Sequence, residues 1–381
     1  MKLRSPETAF SGVRLTAVYT LPGPAGNAET VAKDLCHEQT VEFPADLVPA
    51  GSIRDHVVGC LQSIEPDLDG RWRATVTYAV ETADDGLPQL LNLLFGNTSL
   101  KPGIRLVDLD LPDALLTRYR GPRFGPAGLR ERLGVPERPL LASALKPMGL
   151  TPSQLAELAY ALASGGIDLI KDDHGIADQP FCPFDERVAR CAEAVARANA
   201  ETGGKALYVP NVTAPADRLI TRARRAKEVG AGGLLVAPGL VGLDAMRLLA
   251  DDDALGLPIL AHPALMGSFV VSGTSGVAHG PWFGTISRLA GADAFIFPSY
   301  GGRFSFSREE CRALTLACAA PLGRLRPILP MPAGGMSLDR VPELLGTYGA
   351  QIALLIGGDL HRHGPSLVDG CRRFRALVET R

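Results

Sequence analysis

No run of about 20 apolar residues occurs anywhere in the 381-residue chain, so the sequence contains no candidate membrane-spanning helix. The opening stretch MKLRSPETAFSGVRL lacks the apolar core of about 7–15 residues and the cleavage pattern of a secretory leader. Cysteine is sparse and badly spaced. The seven, at 36, 60, 182, 191, 311, 318 and 371, are odd in number and never in CxxC spacing, which argues against a disulfide framework or a thiolate zinc site. A reducing, cytoplasmic setting is the expectation. An excess of one charge is also missing: 39 Lys and Arg against 41 Asp and Glu give a net charge of -2, which offers no field for nucleic acid or an anionic membrane. The cluster Arg222, Arg224 and Arg225 therefore reads as a solvated helix face.

Apolar side chains are plentiful, at 46% of the residues, enough for a sizeable core. From residue 140 onward, eight β-type runs recur: 140–146, 167–173, 206–211, 233–239, 258–262, 293–299, 326–332 and 351–358. Alanine-rich stretches such as 153–164 and 217–229 lie between them, with apolar spacing suited to helices packed on a sheet. An open doubly wound sheet also alternates in this way. Eight strand–helix units, with strands apolar throughout, favour a closed parallel (β/α)8 TIM barrel. Residues 1–118 differ, with alternating runs at 12–21 and 71–80 and helical stretches near 26–37 and 85–95. They read as a smaller N-terminal α+β domain of ferredoxin-like type, followed by a barrel domain over 119–381, within the α/β class.

In such a barrel the strand C-termini build the reactive face. The first two strands end in Lys146 and in Lys171, Asp172, Asp173 and His174; Asn211 and His262 end the third and fifth. Strict alternation sends Lys171 and Asp173 to one face and Asp172 and His174 to the other, although the loop beyond the strand can relax this. A lysine beside a carboxylate can be a plain ion pair, but polar groups converging from several strands are what a reaction site requires. The seventh and eighth strands end in Gly334–Gly335 and Gly357–Gly358, where backbone N–H groups can approach a phosphate closely. Carboxylates or a lysine carbamate suit magnesium, and His174 makes the set softer. His361 and His363 read as capping or solvent-facing, His279 as a loop residue, and His37 and His56 as structural.

The segments SALKPMGL (143–150), GGIDLIKDDHG (165–175), LAHPA (260–264), SRLAGAD (287–293), MPAGGM (331–336) and LLIGGD (354–359) keep the order and spacing of the RuBisCO large chain, and FGNTSL (95–100) resembles its N-terminal asparagine motif. That resemblance implies that Lys146 handles proton transfer, that Lys171 becomes a carbamate and holds Mg2+, and that Asp173 is a second ligand. It implies catalytic roles for Asn97 and Glu38, which would reach the neighbouring subunit's site in a homodimer with shared active sites, and phosphate contacts from Gly335, Gly357 and Gly358. Departures point away from carbon dioxide fixation: His174 replaces a glutamate ligand, Pro263 an arginine for a distal phosphate, and Ile296 a histidine, while PSYGGRFSF (298–306) has Arg303 and no lysine. The chain thus resembles the RuBisCO-like proteins, form IV of the family.

The resemblance implies an enolising enzyme acting on a phosphorylated ketose through a magnesium-stabilised enediolate. Isomerisation of 5-methylthioribulose 1-phosphate, in methionine salvage, is the leading expectation. Enolisation of a diketo-methylthiopentyl phosphate and decarboxylation or hydrolysis of a phosphorylated 3-oxo sugar acid (3-oxo-isoapionate 4-phosphate type) are the alternatives, with a silent phosphate-sugar sensor as the non-enzyme reading. Pro263, Ala264, Leu265 and Met266 suit a thioether tail or core packing. A desolvated Lys146 would lose proton affinity.

Overall fold

The computed structural model describes residues 9–83 and 86–379. It divides into two compact units, one of residues 1–120, 266–289 and 321–325, the other of residues 121–265, 290–320 and 326–381. No described helix is long and apolar enough to cross a membrane.

The first unit is built on β1 (Arg14–Leu21), β2 (Cys60–Pro66), β3 (Trp72–Ala79) and β4 (Arg105–Asp110), with helices Ala25–Glu38 and Leu87–Phe95 between them. The helix expected near 85–95 is thus found, residue 85 lying outside the described residues. The order β4-β1-β3-β2, all antiparallel, with the succession βαββαβ, is the ferredoxin-like arrangement. Strand alternation buries Leu15, Ala17, Tyr19 and Leu21 of β1 on one face. Tyr19 donates to Leu94 O at 2.7 Å, tying the second helix to the sheet.

In the second unit, all eight expected strands form, each shorter than its apolar run: β5 (Leu140–Leu145), β6 (Leu169–Asp172), β7 (Leu207–Val209), β8 (Leu234–Val236), β9 (Ile259–Ala261), then, after the short β10 (Gly276–Val277) that joins the first unit's sheet beside β4, β11 (Ala294–Pro298), β12 (Leu329–Ala333) and β13 (Ala353–Leu355). Pairing is parallel, in the runs β13-β5-β6-β7 and β8-β9-β11-β12. An Asn211–Leu235 bridge joins the runs on one side, and β12 lies beside β13 on the other, giving the barrel.

Its interior is filled by Leu140, Ala142, Leu169, Val209, Leu235, Leu260, Ala294, Ile296, Leu329, Met331, Ala353 and Leu355, and Leu129 and Leu133 of helix Gly125–Leu133 pack against the same cluster. The buried Asp293 carboxylate fixes the start of that helix by accepting from Phe124 N at 2.6 Å and Gly125 N at 2.8 Å, and also accepts from Ile259 N at 2.9 Å. Burial raises its pKa, against the pull of those three N–H groups. Outside the barrel, Thr151 and Gln154 form a capping box that starts helix Pro152–Ser164, and Ser307 with Glu310 starts helix Arg308–Ala319 likewise.

Candidate functional site

Side chains two apart on a strand share a face, so the inward series Leu140, Ala142 continues towards Lys146 and the series Leu169 continues to Lys171 and Asp173. The same count carries Leu260 to His262, Ala333 to Gly335 and Leu355 to Gly357. A packed apolar barrel thus delivers these residues to its C-terminal mouth.

Lys146 Nζ lies 2.7 Å from Asp173 Oδ2, an oxygen that accepts no other hydrogen bond among the described residues. Lys171 is buried and folds back to donate to Asp172 O at 2.9 Å. Burial pushes its pKa down to about 8, with the Lys146 charge adding to the effect and Asp173 opposing it. Burial works to raise the pKa of Asp173, yet Lys146, Gly175 N–H and Lys171 hold it below the usual carboxylate range. Lys146 itself is 43% exposed, so the desolvation expected there falls on Lys171 instead.

His174 departs from strict alternation. Its ring stacks on His262 with centroids 4.1 Å apart, and its Nδ1 lies 3.6 Å from Asp173 Oδ1, on the Lys171 side. The reason is local: β6 ends at Asp172, and Asp173 Oδ1 accepts from Gly175 N at 3.0 Å in a turn that redirects His174. Enclosure favours the neutral form of both rings, reinforced by Lys171 and Lys146 and, for His174, opposed by Asp173. His262 Nδ1 accepts the Ala264 N–H at 3.1 Å, which leaves its Nε2 to carry the proton.

Asp172 faces the other way. Its carboxylate accepts from Arg187 Nε at 3.1 Å, Tyr208 OH at 2.8 Å and Asn211 N at 2.9 Å, and both Asp172 and Arg187 are fully buried. Arg187 also donates to Cys182 O and Ala177 O, so one guanidinium holds the strand end and the loop after it. Asn211 serves the same loop: its Nδ2 donates to His174 O and Ile176 O, each at 3.0 Å, which makes it a clasp for backbone.

The glycine pairs line a cavity of about 490 Å³ together with Lys146, Arg303, Asp359 and Arg362. Gly334 and Gly335 have φ of +89° and +90°, a region that side chains disfavour. Asp359 accepts from Leu338 N at 2.8 Å and pairs with His363 Nε2 at 2.9 Å, giving His363 a structural post, while His361 is exposed. Lys146 therefore belongs both to the carboxylate cluster and to this cavity.

The remaining expected residues sort as follows. Asn97 and Glu38 meet each other in the first unit, Nδ2 to Oε1 at 3.1 Å. Met266 is fully buried in that unit, and Leu265 is exposed at φ +68°, so the Pro263–Met266 stretch is not one continuous apolar lining. Ile296 is part of the barrel core. His279 is buried against Phe283 rather than placed on a surface loop. Arg222 is also buried, paired with Asp178 at 2.6 Å, so the arginine cluster is only partly a solvated face.

No group of three His, Cys, Asp or Glu side chains converges as a metal site among the described residues. A carbamate on Lys171 would add hard oxygens beside Asp173 and His174, and the low proton affinity of this amine suits that conversion.

Residues 125–380 match the catalytic domain of the ribulose bisphosphate carboxylase large chain. The chain is 41% identical to the 5-methylthioribulose-1-phosphate isomerase of Rhodospirillum rubrum, over 96% of each chain. It is 34% identical to the 2,3-diketo-5-methylthiopentyl-1-phosphate enolase of Bacillus licheniformis, over 96% of this chain and 91% of that one. The crystal structure of a Rubisco-like protein from Rhodopseudomonas palustris superposes with a TM-score of 0.87 at 42% identity, covering 96% of this chain and 97% of that one.

Proposed function

Because the chain belongs to the RuBisCO large-chain family, among its RuBisCO-like members, we propose that it is an enolising enzyme that isomerises 5-methylthioribulose 1-phosphate. The supporting observation is the double placement of Lys146, 2.7 Å from Asp173 and on the wall of the glycine-lined cavity. A phosphate held by the N–H groups around Gly334, Gly335, Gly357 and Gly358 leaves the adjoining carbons of a ketose at Lys146 Nζ. Proton transfer needs that proximity.

Lys146 takes the proton from the carbon beside the carbonyl, and its ammonium, which exchanges with solvent, delivers a proton to the neighbouring position. Asp173 Oδ2, 2.7 Å from Nζ, supplies the counter-charge for the ammonium that forms. His262, neutral and with Nδ1 filled, offers Nε2–H to the oxygen on which charge develops. Lys171 as its carbamate, Asp173 and His174 would hold Mg2+, two oxygen ligands and one imidazole. When bound, the ion supplies fixed positive charge for the same oxygen. Asn97 and Glu38 complete the site from the partner subunit of a homodimer. Carboxylation is no part of this reading, since His174, Pro263 and Ile296 stand where the family's carboxylases have glutamate, arginine and histidine.

The enolase relative favours a second reading, in which one proton is removed from a diketone phosphate and none is returned at the neighbouring carbon. NMR in D2O with 5-methylthioribulose 1-phosphate and, separately, with the diketo-methylthiopentyl phosphate, each with and without magnesium and bicarbonate, separates the readings. The isomerase gives a new ketose phosphate with deuterium beside the carbonyl, and Lys146→Met abolishes both. Exchange confined to the diketone phosphate selects the enolase. Phosphate binding without exchange of either compound rejects both in favour of a sensor.

A further inference from the structure

Backbone N–H groups offer an anion dipoles but no net charge, so a cavity of glycines alone does not distinguish a dianion from a monoanion. The charged side chains on its wall decide that. Lys146 is matched by Asp173, and Asp359 is occupied by Leu338 N and His363. Two guanidiniums remain, Arg303 and Arg362, and among the described residues neither is paired with a carboxylate.

An ordinary surface arginine needs no prepared seat, whereas Arg303 has one. Its backbone N donates to Gly334 O at 3.1 Å. A Cβ on Gly335 would stand 3.0 Å from Arg303 Cγ, so the arginine stem lies across the bare face of that glycine. A Cβ on Gly302 would come within 2.2 Å of Gly334 O, so that glycine too is needed for the loop to approach this closely. The guanidinium is then carried over the Phe304 ring, 5.7 Å from its centre. The loop after β11 is thus fastened to the turn after β12, with a cation on the cavity wall.

We propose that Arg303 is the charge-selecting residue of this cavity, gripping two oxygens of a doubly ionised phosphate monoester with its guanidinium fork, with Arg362 as the second cation. The proposal rests on the phosphate reading of the site and deepens it. The fork matches two phosphate oxygens at once, which a lysine ammonium does not.

The test uses the full-length protein and inorganic phosphate alone, titrated calorimetrically across the second ionisation of the ion. The wild type should bind more tightly as the dianion forms. Arg303→Met, which keeps the stem over Gly335, should weaken dianion binding roughly tenfold, Arg303→Lys should recover only part of the loss, and Arg362→Met should weaken it less. In turnover, Arg303→Met should raise KM with kcat held. An unchanged phosphate Kd in Arg303→Met at an unchanged melting temperature overturns the proposal, as does a wild type that ignores phosphate at tens of millimolar or binds monoanion and dianion alike. Arg303-dependent phosphate binding in a protein that does not turn over methylthioribulose phosphate leaves this proposal standing and sinks the isomerase. Turnover with an Arg303-independent Kd does the reverse.

Discussion

Lys171→Met should make the protein more stable while removing its activity. The ammonium of Lys171 is buried, and its pKa falls from 10.5 to about 8. At about 1.4 kcal/mol per pKa unit, a charged Lys171 costs the folded state roughly 3 kcal/mol at pH 7. Methionine fills similar space without charge. It forfeits the hydrogen bond to Asp172 O, worth about 1 kcal/mol, so the net gain is about 2 kcal/mol, or roughly 4–8 °C in Tm for a unit of this size. The pH dependence gives the sharper readout. Between pH 8 and 10.5 the unfolded chain still binds a proton at this lysine and the folded chain does not, so the wild type gains stability as pH rises through that window. In Lys171→Met that gain is missing, and the difference between the two proteins cancels the titrating groups that do not face Lys171, leaving Asp173, His174 and His262 as the neighbours its charge also acts on. Scanning calorimetry from pH 6.5 to about 10 without bicarbonate measures both quantities. A variant less stable than the wild type at pH 7, or a stability difference that does not shrink towards pH 10, refutes the assignment of Lys171 as a desolvated amine.

Arg187→Met leaves the Asp172 carboxylate buried without its cation, which should cost about 3–5 kcal/mol in urea unfolding; the double variant with Asp172→Asn should cost less than the sum of the singles, and strict additivity would show the pair to be uncoupled. Gly335→Ala introduces a side chain at φ +90° and 3.0 Å from Arg303 Cγ, so phosphate affinity should fall with that of Arg303→Met, and an unaltered Kd would mean the cavity lies elsewhere. Mixing inactive Lys146→Met with inactive Asn97→Ala, after unfolding and refolding together, should restore about a quarter of wild-type activity if each site draws on two subunits of a dimer. No recovery in a mixture shown to contain hybrid dimers would place Asn97 outside the site.

The eight barrel strands were legible because each is an apolar run bounded by glycine, proline or charge, and both faces of a parallel strand are covered. Counting by two from the core then points Lys146, Lys171 and His262 inward. His174 escaped that count because the strand ends at Asp172, and a side-chain turn at Asp173 is a matter of three-dimensional geometry. Arg187 was overlooked because arginine on a helix reads as solvent-facing. It sits nonetheless in register with the buried residues Phe184, Val188, Cys191 and Val195 of helix Phe184–Thr202, and that spacing was a usable signal. The value of Arg303 and Arg362 was hidden for another reason: their loops lie far apart in sequence and meet only once the barrel closes.

The parallel pairing of Gly276–Val277 with β4 has a consequence for anyone wishing to divide the protein. The gene cannot be cut near codon 120 into two self-sufficient pieces. The upstream fragment would lack its outermost strand and present the bare rim of β4, a row of open N–H and C=O groups inviting other chains to add on. The downstream fragment would carry, in the middle of its own barrel, a loop of more than twenty residues deprived of the sheet it belongs to.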